Sequence, residues 1–131
     1  MGSRILIVDD EPELLRALFI RLTAAGFTCE AATDGTEALA KIQQRCPDLI
    51  LTDLVMSDMD GYEMCRQLKS NQRTAAIPVV VLTAVPARAL NRHAEHLGAA
   101  CIMHKPFDSA ELLTTVRDIL AKTGRGGADH G

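Results

Sequence analysis

Leu49-Ile50-Leu51-Thr52-Asp53 is the stretch that most narrows what this chain can become. A short, almost unbroken apolar run ending in an acid has no polar face to turn to water. It fits a strand covered on both sides, as in a parallel sheet flanked by helices. Arg4-Ile5-Leu6-Ile7-Val8 and Pro78-Val79-Val80-Val81-Leu82-Thr83 have the same character, and a proline is tolerated at a strand start. Asp53 then projects from the carboxyl end of its strand, where open α/β sheets bind their ligands. A carboxylate there is costly unless something positive faces it.

The intervening segments have helical spacing. Strand one ends in Asp9-Asp10-Glu11, and Pro12 opens a helix. Leu14, Leu15, Leu18, Phe19 and Leu22 share its inner face, and Gly26 ends it. Phe27 to Ala32 alternates weakly and predicts an edge strand. Thr33-Asp34-Gly35 turns into a helix over 36–45, stopped ahead of Pro47. Further helices are predicted from Gly61 to about Asn71 and from Ala87 to Leu97, the latter closed by Gly98. Ala100 to Met103 is a short fifth strand. Asp108 or Ser109 caps a last helix carrying Leu112, Leu113, Val116, Ile119 and Leu120. Five strand–helix alternations predict an α/β fold: a five-stranded parallel sheet, right-handed crossovers and helices on both faces. Residues 1–122 form one domain, and the glycine-rich 123–131 is a flexible tail or the start of a linker.

Composition excludes several other classes. At 131 residues the chain is long enough for one real core. A net charge of −3 argues weakly against non-specific nucleic-acid binding. No apolar run reaches membrane-spanning length and the start lacks a signal-peptide pattern, so no membrane partner is expected. Cys29, Cys46, Cys65 and Cys101 show no paired spacing and sit within apolar patterns. They are expected to be core thiols in a reducing, cytoplasmic compartment.

The strand ends carry the chemistry. In a parallel sheet Asp9 and Asp10, Asp53, Thr83 and Lys105 all come to the same edge. Three carboxylates in one crevice raise one another's pKa unless a cation intervenes. Oxygen donors without His or Cys suit Mg²⁺, which takes one or two carboxylates and keeps several waters. A carboxylate relieved of repulsion can attack phosphorus and form an acyl phosphate. Mg²⁺, an ammonium and a hydroxyl are what the transferred phosphoryl group needs around it.

Taken in order, Ile-Leu-Ile-Val-Asp-Asp-Glu-Pro, Asp-Leu-Ile-Leu-Thr-Asp-Leu-Val-Met, Met-Asp-Gly, Val-Val-Val-Leu-Thr-Ala, Gly-Ala and Lys-Pro-Phe give the chain its likeness. It resembles a CheY-like receiver domain of two-component response regulators over residues 4 to about 122. The resemblance implies a flavodoxin-like (βα)5 fold with strand order 2-1-3-4-5. It implies that Asp53 is the phosphoacceptor, taking its phosphoryl group from a phosphohistidine on a sensor histidine kinase or histidine phosphotransfer protein. Asp9 and Asp10 would hold Mg²⁺ with Asp53, Asp10 more directly, and the backbone carbonyl of Val55 would complete the protein's share. Thr83 would turn toward the phosphoryl group. Lys105 would pair with one of its oxygens, beside a cis Lys105–Pro106 bond. The family is not enzymatic beyond this self-catalysed transfer and autodephosphorylation. It signals by population shift to a downstream protein or output domain, here through residues 87–122.

Some positions depart from the family pattern. Ser57 replaces a usual proline, which should loosen the loop after Asp53. Ile102 replaces the usual aromatic three residues before Lys105, so the coupled threonine–aromatic switch is not expected in its common form. Ala100 and Cys101 replace a frequent acidic pair, which weakens the case for salt-bridged dimers. Val55 and Val85, two residues past Asp53 and Thr83, offer nothing to orient a water, which predicts a long-lived phosphoryl group. A haloacid-dehalogenase-type phosphatase also uses an Asp nucleophile with Mg²⁺, but it needs a second acid where Val55 stands. A degenerate receiver that only binds partners usually lacks the Asp or the Lys, and this chain keeps both Asp53 and Lys105.

Overall fold

The computed structural model describes residues 2–54, 61–84 and 98–123. Among the described residues there are five strands: β1 (Arg4–Val8), β2 (Thr28–Ala32), β3 (Leu49–Thr52), β4 (Val79–Thr83) and β5 (Cys101–His104). They pair in parallel in the order β2-β1-β3-β4-β5, the predicted order. The described helices are α1 (Pro12–Ala24), α2 (Gly35–Gln44), α3 (Gly61–Lys69) and α4 (Ser109–Thr123). The helix expected over 87–97 lies outside the described residues.

Strand burial follows position in the sheet. Every residue of β3 and β4 is buried, whereas the edge strands β2 and β5 are partly open. Side chains alternate across each strand, and this divides the interior into two layers. Ile5, Ile7, Leu49, Leu51, Val80 and Leu82 face α1 and α4. Leu6, Val8, Ile50, Val79 and Val81 face α2 and α3. Both faces are therefore apolar, which is why these strands look continuously hydrophobic in the sequence.

Local chemistry sets the helix ends. Asp34 accepts a hydrogen bond from the Glu37 amide at 2.8 Å, and Glu37 accepts from the Thr33 amide at 2.7 Å. The amide of Thr33, more than any other partner, holds the Glu37 carboxyl below its usual range. Asp34 thus starts α2 at Gly35, one residue before the predicted start. Asp108, rather than Ser109, caps α4 through the Ala110 amide at 2.9 Å. Helix α3 stops at Lys69, short of the predicted Asn71, because the Thr74 hydroxyl takes the Leu68 carbonyl at 2.7 Å.

Gly26 closes α1 at a backbone φ of +104°, in the left-handed region. Its amide bonds to the Thr23 carbonyl and that of Phe27 to the Leu22 carbonyl. Phe27 and Leu22 share the apolar layer beneath, so the turn is a Schellman cap. Phe27 is consumed by this cap, and β2 starts at Thr28. Nothing crowds the position of an added Cβ at Gly26, so Gly26→Ala costs backbone energy alone, about 1–2 kcal/mol. Chemical denaturation should show that loss in midpoint with an unchanged slope, and an unchanged midpoint would refute the assignment.

Candidate functional site

The carboxyl ends of β1, β3, β4 and β5 meet along one edge of the sheet. Among the hydrogen bonds that extend the sheet past the strands, the Asp53 amide donates to the Val8 carbonyl at 3.1 Å and that of Lys105 to the Thr83 carbonyl at 2.8 Å. They tie the chain leaving β3 to β1 and the chain leaving β5 to β4. The parallel register therefore fixes where Asp53 and Lys105 begin, before any side chain interacts.

Asp9 and Asp53 are both buried, Asp9 almost completely. Lys105 faces them. Its Nζ donates to Asp53 Oδ2 at 3.0 Å, Asp9 Oδ2 at 3.1 Å and Glu11 Oε1 at 3.2 Å. The second oxygen of each buried acid is also engaged. Asp53 Oδ1 accepts from the Leu54 amide at 2.6 Å, and Asp9 Oδ1 accepts from the Glu11 amide at 2.9 Å. Burial pushes the Asp9 pKa up, against the lowering effect of the Glu11 amide and Lys105. For Lys105, burial acts downward, but hydrogen bonds to Asp53 and Asp9 outweigh it and leave the ammonium well above its usual range.

The backbones of Leu54 and Gly61 meet beside Asp53. The Gly61 amide donates to the Leu54 carbonyl at 2.7 Å. A Cβ on Gly61 would overlap the Asp53 carbonyl oxygen and crowd Leu54 Cα. Glycine is required there by close approach of two backbones, which accounts for the glycine of Met-Asp-Gly, eight residues past Asp53. The Thr52 hydroxyl adds a bond to the same Asp53 carbonyl at 2.8 Å.

Asp9, Asp53 and Lys105 are thus brought together as the sequence predicts. Thr83 is fully buried at the end of β4, on the same edge. The Lys105–Pro106 bond is cis. Val55 with its carbonyl, Ser57 and Val85 lie outside the described residues. Asp10, next to Asp9 in the chain, is exposed. Among the described residues, it is Asp9, Glu11 and Asp53 that offer carboxylate oxygens within 4.8 Å of one another. Such a hard-oxygen donor set fits Mg²⁺. Sequence reasoning assigned Glu11 only to the helix start. Its signal was available: an acid two residues after Asp9, directly before the proline that fixes the helix origin.

The Lys105 geometry has a stability consequence. Lys105→Met leaves two buried carboxylates without a countercharge, and should cost about 2–4 kcal/mol at neutral pH. A lysine whose folded pKa lies above its ordinary 10.5 gives stability that is complete below 10.5 and disappears as pH climbs through the higher folded value. The gap between wild type and variant should hold from pH 7 to 10 and narrow above. A gap unchanged at pH 12 would refute the role assigned to the ammonium.

Known proteins share this sequence pattern and fold. Residues 5–117 match the family model for the response regulator receiver domain. The chain is 39% identical over 122 residues to the DNA-binding dual master transcriptional regulator RpaA of Synechocystis, covering 93% of this chain and 51% of that protein. It spans from about a quarter to a little over half of the length of the curated relatives it matches. Among solved structures, the receiver domain of a signal transduction histidine kinase from Syntrophus aciditrophicus superposes with a TM-score of 0.89 at 31% identity, covering 97% of this chain and 96% of the other. The receiver domain of sensor histidine kinase PA1611 from Pseudomonas aeruginosa, with a magnesium ion coordinated in its active site cleft, gives a TM-score of 0.85 at 25% identity, covering 92% and 99%.

Proposed function

This chain belongs to the response regulator receiver domain family of two-component systems, and on that premise we propose that Asp53 is its phosphoacceptor. The observation that carries the proposal is the buried Asp53 carboxylate at the end of β3, held between the Leu54 amide and the Lys105 ammonium. An oxygen of Asp53 attacks the phosphorus of a phosphohistidine on a sensor histidine kinase or phosphotransfer protein. The new O–P bond replaces the P–N bond, and the departing imidazole takes up a proton. Lys105 offsets the charge on the transferred oxygens, and the Thr83 hydroxyl lies at the same edge to donate to one of them. Because the barrier is mostly electrostatic and positional, these fixed groups are the chain's share of the catalysis.

Mg²⁺ would be held by Asp9, Asp10, Asp53 and the Val55 carbonyl, with Glu11 beside them, and would supply further neutralisation of phosphoryl charge. The chain acts on no separate substrate: it takes the phosphoryl group and loses it by hydrolysis. It works in the cytoplasm, and residues 87–122 pass the state to a downstream protein or output domain.

Intact mass after incubation with Mg²⁺ and acetyl phosphate tests this reading. Wild type should gain one phosphoryl group, Mg²⁺-dependently, and Asp53→Asn should gain none. An adduct on a folded Asp53→Asn protein would place the acceptor elsewhere. Because the residues two past Asp53 and Thr83 in the sequence, Val55 and Val85, carry no group to orient a water, the phosphoryl group should persist for minutes or longer after the donor is removed. Loss within seconds would refute that part.

A further inference from the structure

One row of residues crosses the whole sheet at the end of β3. In register it reads Ala32, Val8, Thr52, Val81, Ile102. The four others belong to, or pack against, the apolar layer under α2 and α3. Thr52 breaks the pattern, and it is only 1% exposed. A valine has nearly the same shape and would suit this layer better. A hydroxyl buried among hydrocarbon is costly unless it is hydrogen-bonded, so the partner it has found carries the argument.

That partner is the main-chain carbonyl of Asp53, at 2.8 Å. The carbonyl is one end of the Asp53–Leu54 peptide group, which is planar and turns as a unit. The other end is the Leu54 N–H, which donates to Asp53 Oδ1 at 2.6 Å. Thr52 thus holds one end of a rigid plate whose opposite end holds the acceptor carboxylate. The backbone of Gly61 crowds the same carbonyl oxygen, where an added Cβ would overlap it. Hydrogen bonds joined through a polar group also polarise one another, so the hydroxyl makes the Leu54 N–H a better donor.

We infer that Thr52 is a positioning residue for phosphoryl transfer: its hydroxyl fixes the Asp53–Leu54 peptide, and through it the Leu54 amide that orients the Asp53 carboxylate. The inference rests on Asp53 being the acceptor, and it deepens that reading by adding a residue that touches no reactant. It holds whatever the charge state of the crevice. The hydroxyl and the main-chain carbonyl are neutral, and neither belongs to the cation's donor set. After transfer Asp53 keeps one oxygen as the acyl carbonyl, which still accepts from the Leu54 N–H.

Three variants test it. Thr52→Val removes the hydroxyl at nearly constant volume. Thr52→Ala removes it in a second way, in case the valine variant fails to fold. Thr52→Ser keeps the hydroxyl and loses a methyl group. With acetyl phosphate at saturating Mg²⁺, the rate of phosphorylation should fall about three- to tenfold in the valine and alanine variants. The serine variant should keep close to the wild-type rate. Before any phosphodonor is added, the Leu54 amide proton signal should move upfield in the two hydroxyl-free variants and keep its place in Thr52→Ser. Loss of packing alone would slow the serine variant too and would not follow the hydroxyl. A wild-type rate in a folded hydroxyl-free variant overturns the inference. So does a serine variant as slow as the alanine one, or a Leu54 signal that does not move. If wild type itself takes no phosphoryl group, the acceptor assignment fails, the inference falls with it, and that result is visible before any variant is compared.

Discussion

Two carboxylates cannot remain ionised side by side in a folded interior without a positive partner, and in this molecule that partner is the Lys105 ammonium. Much of the fold serves to bring it there. Asp9 follows β1, Asp53 follows β3 and Lys105 follows β5, so the three come from strands far apart in the chain. They meet because all five strands run parallel and end at one edge. The apolar run that makes β3 and the charge that makes the site are therefore one design. A strand buried on both faces can carry an acid only at its end, and only where the neighbouring ends supply compensation.

Much of this was legible in the sequence. The strand assignments rested on unbroken apolar runs, and the pairing order rested on family resemblance. Asp9, Asp53 and Lys105 could be placed together because strand direction alone puts them at the same edge. What sequence could not reveal was which way each acid in Asp9-Asp10-Glu11 turns. Adjacent acids look alike until the backbone is known. Here the Glu11 amide closes onto Asp9, the Glu11 carboxylate reaches Lys105 and Asp10 is exposed.

Helix ends show the same limit at smaller scale. The α1 terminus was visible because Gly26 is conspicuous. The α3 terminus was not, since the group that ends it is the Thr74 hydroxyl, six residues beyond Leu68. Phe27 looked like the first residue of a strand because it is apolar and followed by a plausible alternation. Its apolar character in fact serves the cap on α1, where it packs with Leu22. Both departures come from hydrogen bonds to helix-end carbonyls, of Leu22 and Leu68, that a pattern of hydropathy does not represent.

The sheet also separates the interior into two apolar layers whose side chains lie on opposite faces. Leu54, directly after Asp53, belongs to the layer under α2 and α3. Phe107, two residues after Lys105, packs on the layer under α1 and α4. The Asp53–Lys105 ion pair therefore joins one segment from each layer, at the rim where the sheet stops insulating them. A change in the distance between these two charges is felt on both sides of the molecule at once, without any disturbance having to pass through the tightly filled strands between.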